Sequence, residues 1–209
     1  MAELDSGSEI LIMVIDGAGH GVPGAFVTML VKAIENQIVG SIKVGTLEPS
    51  PAKILEYFNK TIKIMLKQEK GSTSNAGFDG GVLYYNKKNN ICKYAGAKTP
   101  LYIINGKKLD IIKSDRKNVG FIRTKIDQKY TEYDIEIKEG TQLYLCTDGI
   151  IDQEGKDDSR YGKTKFEDLI LDNFEKPMCE QKDLMHKSFE DFKSKFEQSD
   201  DVTVVGLRF

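Results

Sequence analysis

The order in which hydrophobic periodicities succeed one another constrains the fold of this chain more than any single motif. Residues 10–15, Ile-Leu-Ile-Met-Val-Ile, form a continuous apolar run bounded by Glu9 and Asp16, the pattern of a strand buried on both faces. After a glycine-rich turn, Val22, Ala25, Phe26, Met29, Leu30, Ala33, Ile34 and Ile38 recur at helical spacing, predicting a long helix with a broad buried stripe that ends at Gly40. Ser50 as N-cap and Pro51 at the first helical position announce a second helix. It buries Ile54, Leu55, Phe58, Ile62, Met65 and Leu66 and turns Lys53, Glu56, Lys60, Lys63 and Lys67 outward.

From residue 77 the pattern changes to short β-rich runs over 81–85, 91–95, 101–104 and 109–112, punctuated by hairpin turns at 86–90 and at Asn105-Gly106. Weak periodicity over 113–127 reads as a loop or flap, 130–137 alternates like an edge strand, and 142–147 is a more buried strand. Helices over 163–173 and 179–196 precede a last strand over 202–207. This order lacks the regular βαβ alternation of a doubly wound sheet. It suits an α+β chain of two packed, mainly antiparallel sheets with helices on the outer faces. At 209 residues, one large domain is expected.

Composition removes several function classes. Lys and Arg number 30 against 32 Asp and Glu, so there is no basic footprint for nucleic acid. Lys87-Lys88 and Lys107-Lys108 sit beside turn residues and read as solvated surface. No uninterrupted apolar run approaches the roughly 20 residues of a membrane span, and residues 1–9 lack the pattern of a secretory signal. Direct membrane insertion is therefore not expected. Cys92, Cys146 and Cys179 are odd in number and far apart, which supports neither disulfides nor a zinc site and fits a reducing cytoplasm.

Three constellations carry the chemistry. The first, residues 14–26, contains Gly19-His20-Gly21-Val22-Pro23-Gly24, a literal GxGxxG. A dinucleotide site would need a second parallel strand ending in an acid about 20 residues on. That distance lands on Glu35, inside the predicted helix, and Asp16 would repel the pyrophosphate. Asp16 at a strand end is either a helix cap or, with the main-chain carbonyl of Gly17, a ligand for a hard cation. The second constellation, Leu-Tyr-Leu-Cys-Thr-Asp-Gly over 143–149, places Asp148 at another strand end. The third places Asp200 and Asp201 where the last strand begins. Three acidic strand ends that converge on folding suit Mg2+ or Mn2+, and two such ions bind a phosphate and activate a water for in-line attack.

D-G-x-G-H-G-x-x-G-A, T-D-G and D-D-V-T-V-V together resemble the spaced signatures of the bacterial metal-dependent protein phosphatases (PPM, type 2C-like), the branch that controls sporulation and stress sigma factors. A-G-A-K-T-P-L at 95–101 resembles that family's central strand pair. The resemblance implies a four-layer αββα sandwich and a centre of two Mn2+ or Mg2+ ions. Asp16 would bridge the ions, Gly17 would supply its carbonyl, and Asp148 and Asp200 would be further ligands, with Asp201 the alternative for the last role. It also implies a phosphoserine or phosphothreonine substrate on a regulatory protein of the anti-anti-sigma type, and an upstream sensor or signalling region.

The sequence departs from the family pattern in several places. No Gly-Gly-Asp strand precedes Ile10, and Asp5 lies among turn formers, so the first family strand is expected to be missing. The alternative expectation is therefore a phosphatase-like regulatory module with little or no turnover. Asp79, in Gly77-Phe78-Asp79-Gly80-Gly81, is read as a turn residue entering a strand, or as a further metal ligand. Lys98-Thr99 stands where relatives often have His-Asn, with no role assigned. His20 is read as orienting its loop, with a general-acid role the alternative; His186 is read as structural or exposed, and Asp152 as the start of a polar loop.

Overall fold

The computed structural model describes every residue except Ser6, His20, Lys70, Thr73, Ser74, Asp157 and Asp158, and for Asp5 the backbone alone. In chain order the elements are β1 (Ala2–Asp5), β2 (Glu9–Gly17), α1 (Gly21–Lys43), α2 (Pro51–Met65), β3 (Phe78–Asn86), β4 (Ile91–Ala97) and β5 (Leu101–Asn105). β6 (Lys108–Ile112), β7 (Tyr133–Ile135), β8 (Gln142–Cys146), α3 (Asp148–Asp152), α4 (Lys163–Asn173), α5 (Met178–Lys193) and β9 (Val204–Arg208) follow. The chain is α+β, with two antiparallel sheets and helices packed on each. It divides into two compact units: Met1–Thr99 with Lys113–Ile137, and Pro100–Ile112 with Lys138–Phe209.

The first unit holds a five-stranded sheet in the order β1-β2-β3-β4-β7. β1 pairs antiparallel with β2, so Asp5, read as lying among turn formers, ends an edge strand instead. Four residues, of which only Ala2 and Leu4 are apolar, are too short for periodicity to register; pairing with β2 defines them. Val27, Leu30, Val31, Ile34 and Ile38 of α1 pack with Ile54, Leu55, Phe58 and Ile62 of α2 against Leu11, Val82 and Ala95 of the sheet. Full burial is worth about 1.5–3 kcal/mol for each large aliphatic or aromatic side chain here. Phe58 meets Phe78 edge to face, with centroids 5.3 Å apart.

The face of α1 differs from the expected one. Val22, Phe26 and Met29 are exposed, because nearly every position from Val22 to Val31 is apolar and periodicity selects no face there. By length and composition α1 is long and apolar enough to cross a membrane, yet its buried stripe belongs to the core of this unit. The helix also runs through Gly40 and ends one turn later. Thr46 N–H donates to Ser41 O and Gly45 N–H to Ile42 O, with Gly45 at φ +76°, a Schellman cap that favours glycine at position 45.

α2 begins as expected: the Ser50 hydroxyl accepts from the Lys53 N–H and Pro51 opens the helix. Met65 is exposed, and Lys63, expected outside, is buried. Its ammonium donates to Phe121 O at 2.9 Å and Ile122 O at 3.3 Å, and burial lowers its pKa. Asn59 accepts from Gly120 N–H and donates to Lys125 O, while Gln68 donates to Gly120 O. The segment 113–127 is therefore irregular, as expected, but tied down by side chains of α2 and its C-terminal extension.

The second unit holds a four-stranded sheet in the order β6-β5-β8-β9. Tyr102, Tyr144, Ile150, Phe166, Ile170 and Phe189 form its core, with Tyr102 and Phe166 in edge contact at 5.2 Å. α4 has the expected bounds, and α5 starts and ends slightly before its expected limits.

Candidate metal centre

Asp16 lies within β2, whereas α1 begins only at Gly21, so it does not cap that helix. The neighbours of β2 are antiparallel β1 and β3, which excludes the parallel βαβ unit a dinucleotide loop requires. Register continues to the strand end, with Asp16 opposite Asp79 and Gly17 opposite Phe78. Asp79 is thus part of β3, not of a turn.

Two carboxylates directly opposite each other across a strand pair repel. The structure answers that charge within the same unit: Lys98 Nζ lies 3.3 Å from Asp79 Oδ2, and Asn118 Nδ2 donates to Asp79 Oδ1. Both oxygens of Asp79 therefore have protein partners. Lys98, unassigned from sequence, adopts φ +58°, and its N–H donates to Asp115 O at 2.8 Å.

In the second unit the T-D-G and D-D-V-T segments are stitched together by Thr147. Its N–H donates to Thr203 O at 3.0 Å, its hydroxyl donates to Asp201 O at 3.1 Å, and it accepts from Thr203 N–H at 2.9 Å. Gly149 permits that approach, since a Cβ there would lie 2.3 Å from Asp201 O. Buried Gln153 donates to Glu197 O and accepts from Ser199 N–H, fixing the chain just before Asp200. Asp200 Oδ1 accepts from Asp201 N–H at 2.7 Å.

The outcome is that carboxylate oxygens of Asp148 and Asp200 lie within 4.8 Å of each other. Asp201 contributes its carbonyl to Thr147. Two exposed carboxylates at this separation, held by backbone contacts, offer hard oxygen ligands of the kind Mg2+ or Mn2+ takes. The donor set fits such an ion. Asp152 ends α3, a short helix that replaces the expected loop, and pairs with Arg160 at 2.9 Å.

Cys146, the thiol nearest Asp148 in sequence, is buried. Burial, reinforced by the negative charge of Asp148, pushes the Cys146 thiol up to about 12, so it stays protonated at neutral pH. His186 is exposed on α5, and His20 lies outside the described residues. Thr147, Gln153 and Asn118 escaped the sequence reading. Thr147 had one signal, its place in T-D-G, but a hydroxyl that joins two strands leaves no periodic trace.

The sequence profile of the family described as Stage II sporulation protein E (SpoIIE) matches residues 6–209. Curated proteins gave no match. Among solved structures, the SiaA-PP2C domain of Pseudomonas aeruginosa is similar at 29% identity and TM-score 0.84, over 98% of this chain and 78% of that one. The PP2C phosphatase domain with a fragment of the regulatory domain of SpoIIE from Bacillus subtilis is similar at 19% identity and TM-score 0.72, over 100% of this chain and 57% of that one. RsbX in complex with magnesium is similar at 16% identity and TM-score 0.59, over 96% of this chain and 81% of that one.

Proposed function

The chain belongs to the Stage II sporulation protein E (SpoIIE) family, and from that membership we propose that it is a metal-dependent phosphatase acting on phosphoserine or phosphothreonine of a regulatory protein. Its fold is that of PP2C protein phosphatase domains. The observation that carries the reading is the pair Asp148 and Asp200, with carboxylate oxygens within 4.8 Å of each other in segments joined through Thr147 and Gly149.

In this reading Asp16, Asp148 and Asp200 hold two Mn2+ or Mg2+ ions, with Gly17 adding its main-chain carbonyl. When bound, the ions supply positive charge for a phosphate and acidify a water for in-line attack at phosphorus. The carboxylates fix where that charge sits, and the Thr147 bridge keeps Asp148 and Asp200 at a constant spacing. The protonated Cys146 stays out of the reaction. The similarity to a magnesium-bound RsbX supports the choice of a hard divalent ion. A partner of anti-anti-sigma type and an upstream regulatory segment are further parts of the proposal; the B. subtilis relative carries such a regulatory domain fragment.

The test is Mn2+-dependent release of phosphate from p-nitrophenyl phosphate and from a phosphoserine peptide. Wild-type protein should turn over both, and Asp16→Asn or Asp148→Asn should lower turnover by more than the roughly ten- to hundredfold typical of outer-shell partners. Absence of turnover at saturating Mn2+ in the full-length protein would sink the proposal.

A further inference from the structure

We propose that Lys98 is the phosphate-binding cation of this active site and that Asp79 is the residue that positions it; the inference rests on the phosphatase reading above. Asp79 stands directly opposite Asp16 in the β2–β3 register, so the two side chains project from the same face of the sheet. The Lys98 ammonium, 3.3 Å from Asp79 Oδ2, is therefore beside the carboxylate proposed to bridge the metals. Opposed Cβ atoms in such a pair are about 4.5–5.5 Å apart, which puts a phosphate held near Asp16 within reach of a lysine head group.

Three features separate this lysine from an ordinary surface cation. Its side chain is 46% exposed while that of Asp79 is 26% exposed, so a partly exposed lysine is anchored by a more buried carboxylate. An ammonium has three donors, and the ion pair uses one direction, leaving others for phosphate oxygens. The carboxylate that anchors it is itself fixed by Asn118.

The backbone supplies a second, independent observation. Lys98 occupies the left-handed region at φ +58°, a conformation disfavoured for a residue that carries a Cβ. The position is nevertheless held there: its N–H donates to Asp115 O, Gly80 bridges it in parallel, and the Tyr94 hydroxyl donates to the carbonyl of Thr99 just after it. A turn held so closely aims the side chain at Asp79. An Asn or Gly would fit this backbone better, and neither could place an ammonium beside Asp79.

The experiment compares wild type with Lys98→Gln, Lys98→Arg and Asp79→Asn in Mn2+-dependent hydrolysis of p-nitrophenyl phosphate, and in calorimetric titration of the Mn2+-loaded protein with inorganic phosphate. Lys98→Gln should raise KM and weaken phosphate binding together by about ten- to hundredfold, the loss of a charge-assisted hydrogen bond, with a smaller change in kcat. Lys98→Arg should recover most of the affinity. Asp79→Asn should weaken it severalfold by releasing the ammonium.

Unchanged KM and phosphate affinity in Lys98→Gln would overturn the assignment. A shift confined to the Mn2+ concentration needed for activity would overturn it too, because it would mean that Lys98 only offsets repulsion between Asp16 and Asp79. Wild-type protein that binds inorganic phosphate but hydrolyses nothing would sink the phosphatase reading alone, and the phosphate titration of Lys98→Gln would still decide the role of Lys98.

Discussion

Thr147 shows how much of a candidate centre rests on one side chain that is not itself a ligand. Its hydroxyl donates to Asp201 O and accepts from Thr203 N–H, so it fixes the chain on either side of Val202 relative to Asp148. Thr147→Val keeps the shape and removes both bonds. It should lower Mn2+ affinity by about ten- to hundredfold, as loss of an outer-shell partner does, measured by the Mn2+ dependence of turnover. Gly149→Ala acts on the same contact sterically. A Cβ 2.3 Å from Asp201 O forces the two segments apart, and the expected loss is about 1–3 kcal/mol in denaturant unfolding, with activity lost in parallel. At this scale the acidic residues were legible, because Asp at the end of an apolar run is a local pattern. Their supports Thr147, Gln153, Lys98 and Asn118 were not, because each acts on residues distant in sequence.

At the scale of elements, the N-terminus of α2 is tied to the sheet by Glu132. Its carboxylate accepts from Ser50 Oγ, from Ala52 N–H at 3.3 Å and from Lys93 Nζ at 2.9 Å. Burial, the largest single influence, opposes ionisation, but the hydrogen bonds from Ser50, Lys93 and Ala52 together hold the pKa below its ordinary value of 4.5. The hydrogen bond to Glu132 raises that of Lys93, against a smaller effect of burial. A carboxylate with a depressed folded pKa stabilises fully above its unfolded value, and that contribution disappears as pH falls through the folded one. A lysine with a raised pKa stabilises fully below its unfolded value of 10.5 and loses that contribution as pH rises through the folded one. Glu132→Gln should therefore destabilise the protein by about 1–2 kcal/mol at pH 7 and by less below pH 4, seen in urea unfolding at the two pH values. α1, α2, α4 and α5 were readable from periodicity, and α2 also from its cap. The buried face of α1 was not, since a helix apolar nearly all round at one end acquires its buried stripe from what packs on it.

For the molecule as a whole, ligand linkage supplies a further check. Mn2+ at about a hundred times its dissociation constant should stabilise the folded protein by roughly 2.7 kcal/mol if it binds only the native state. That increment should vanish in Asp148→Asn, read as the shift of the unfolding midpoint with and without Mn2+. Thiol chemistry gives a complementary view. Cys179 is exposed while Cys92 and Cys146 are buried, with both buried thiols pushed up to about 12 by burial, first of all. A thiol reagent at neutral pH should modify Cys179 rapidly and the other two only on unfolding.

The sequence by itself determined the α+β class, the succession of strands and helices apart from β1 and α3, and the candidate acids Asp16, Asp148 and Asp200, because periodicity and strand-end carboxylates are properties of neighbouring residues. Tertiary structure alone decided that Asp79 lies in a strand opposite Asp16 and is held by Lys98 and Asn118, and that Asp200 rather than Asp201 turns its carboxylate to Asp148. Those outcomes depend on a register between residues 63 apart and on ion-pair and hydrogen-bond contacts between residues 19 to 56 apart, separations at which no local pattern carries information.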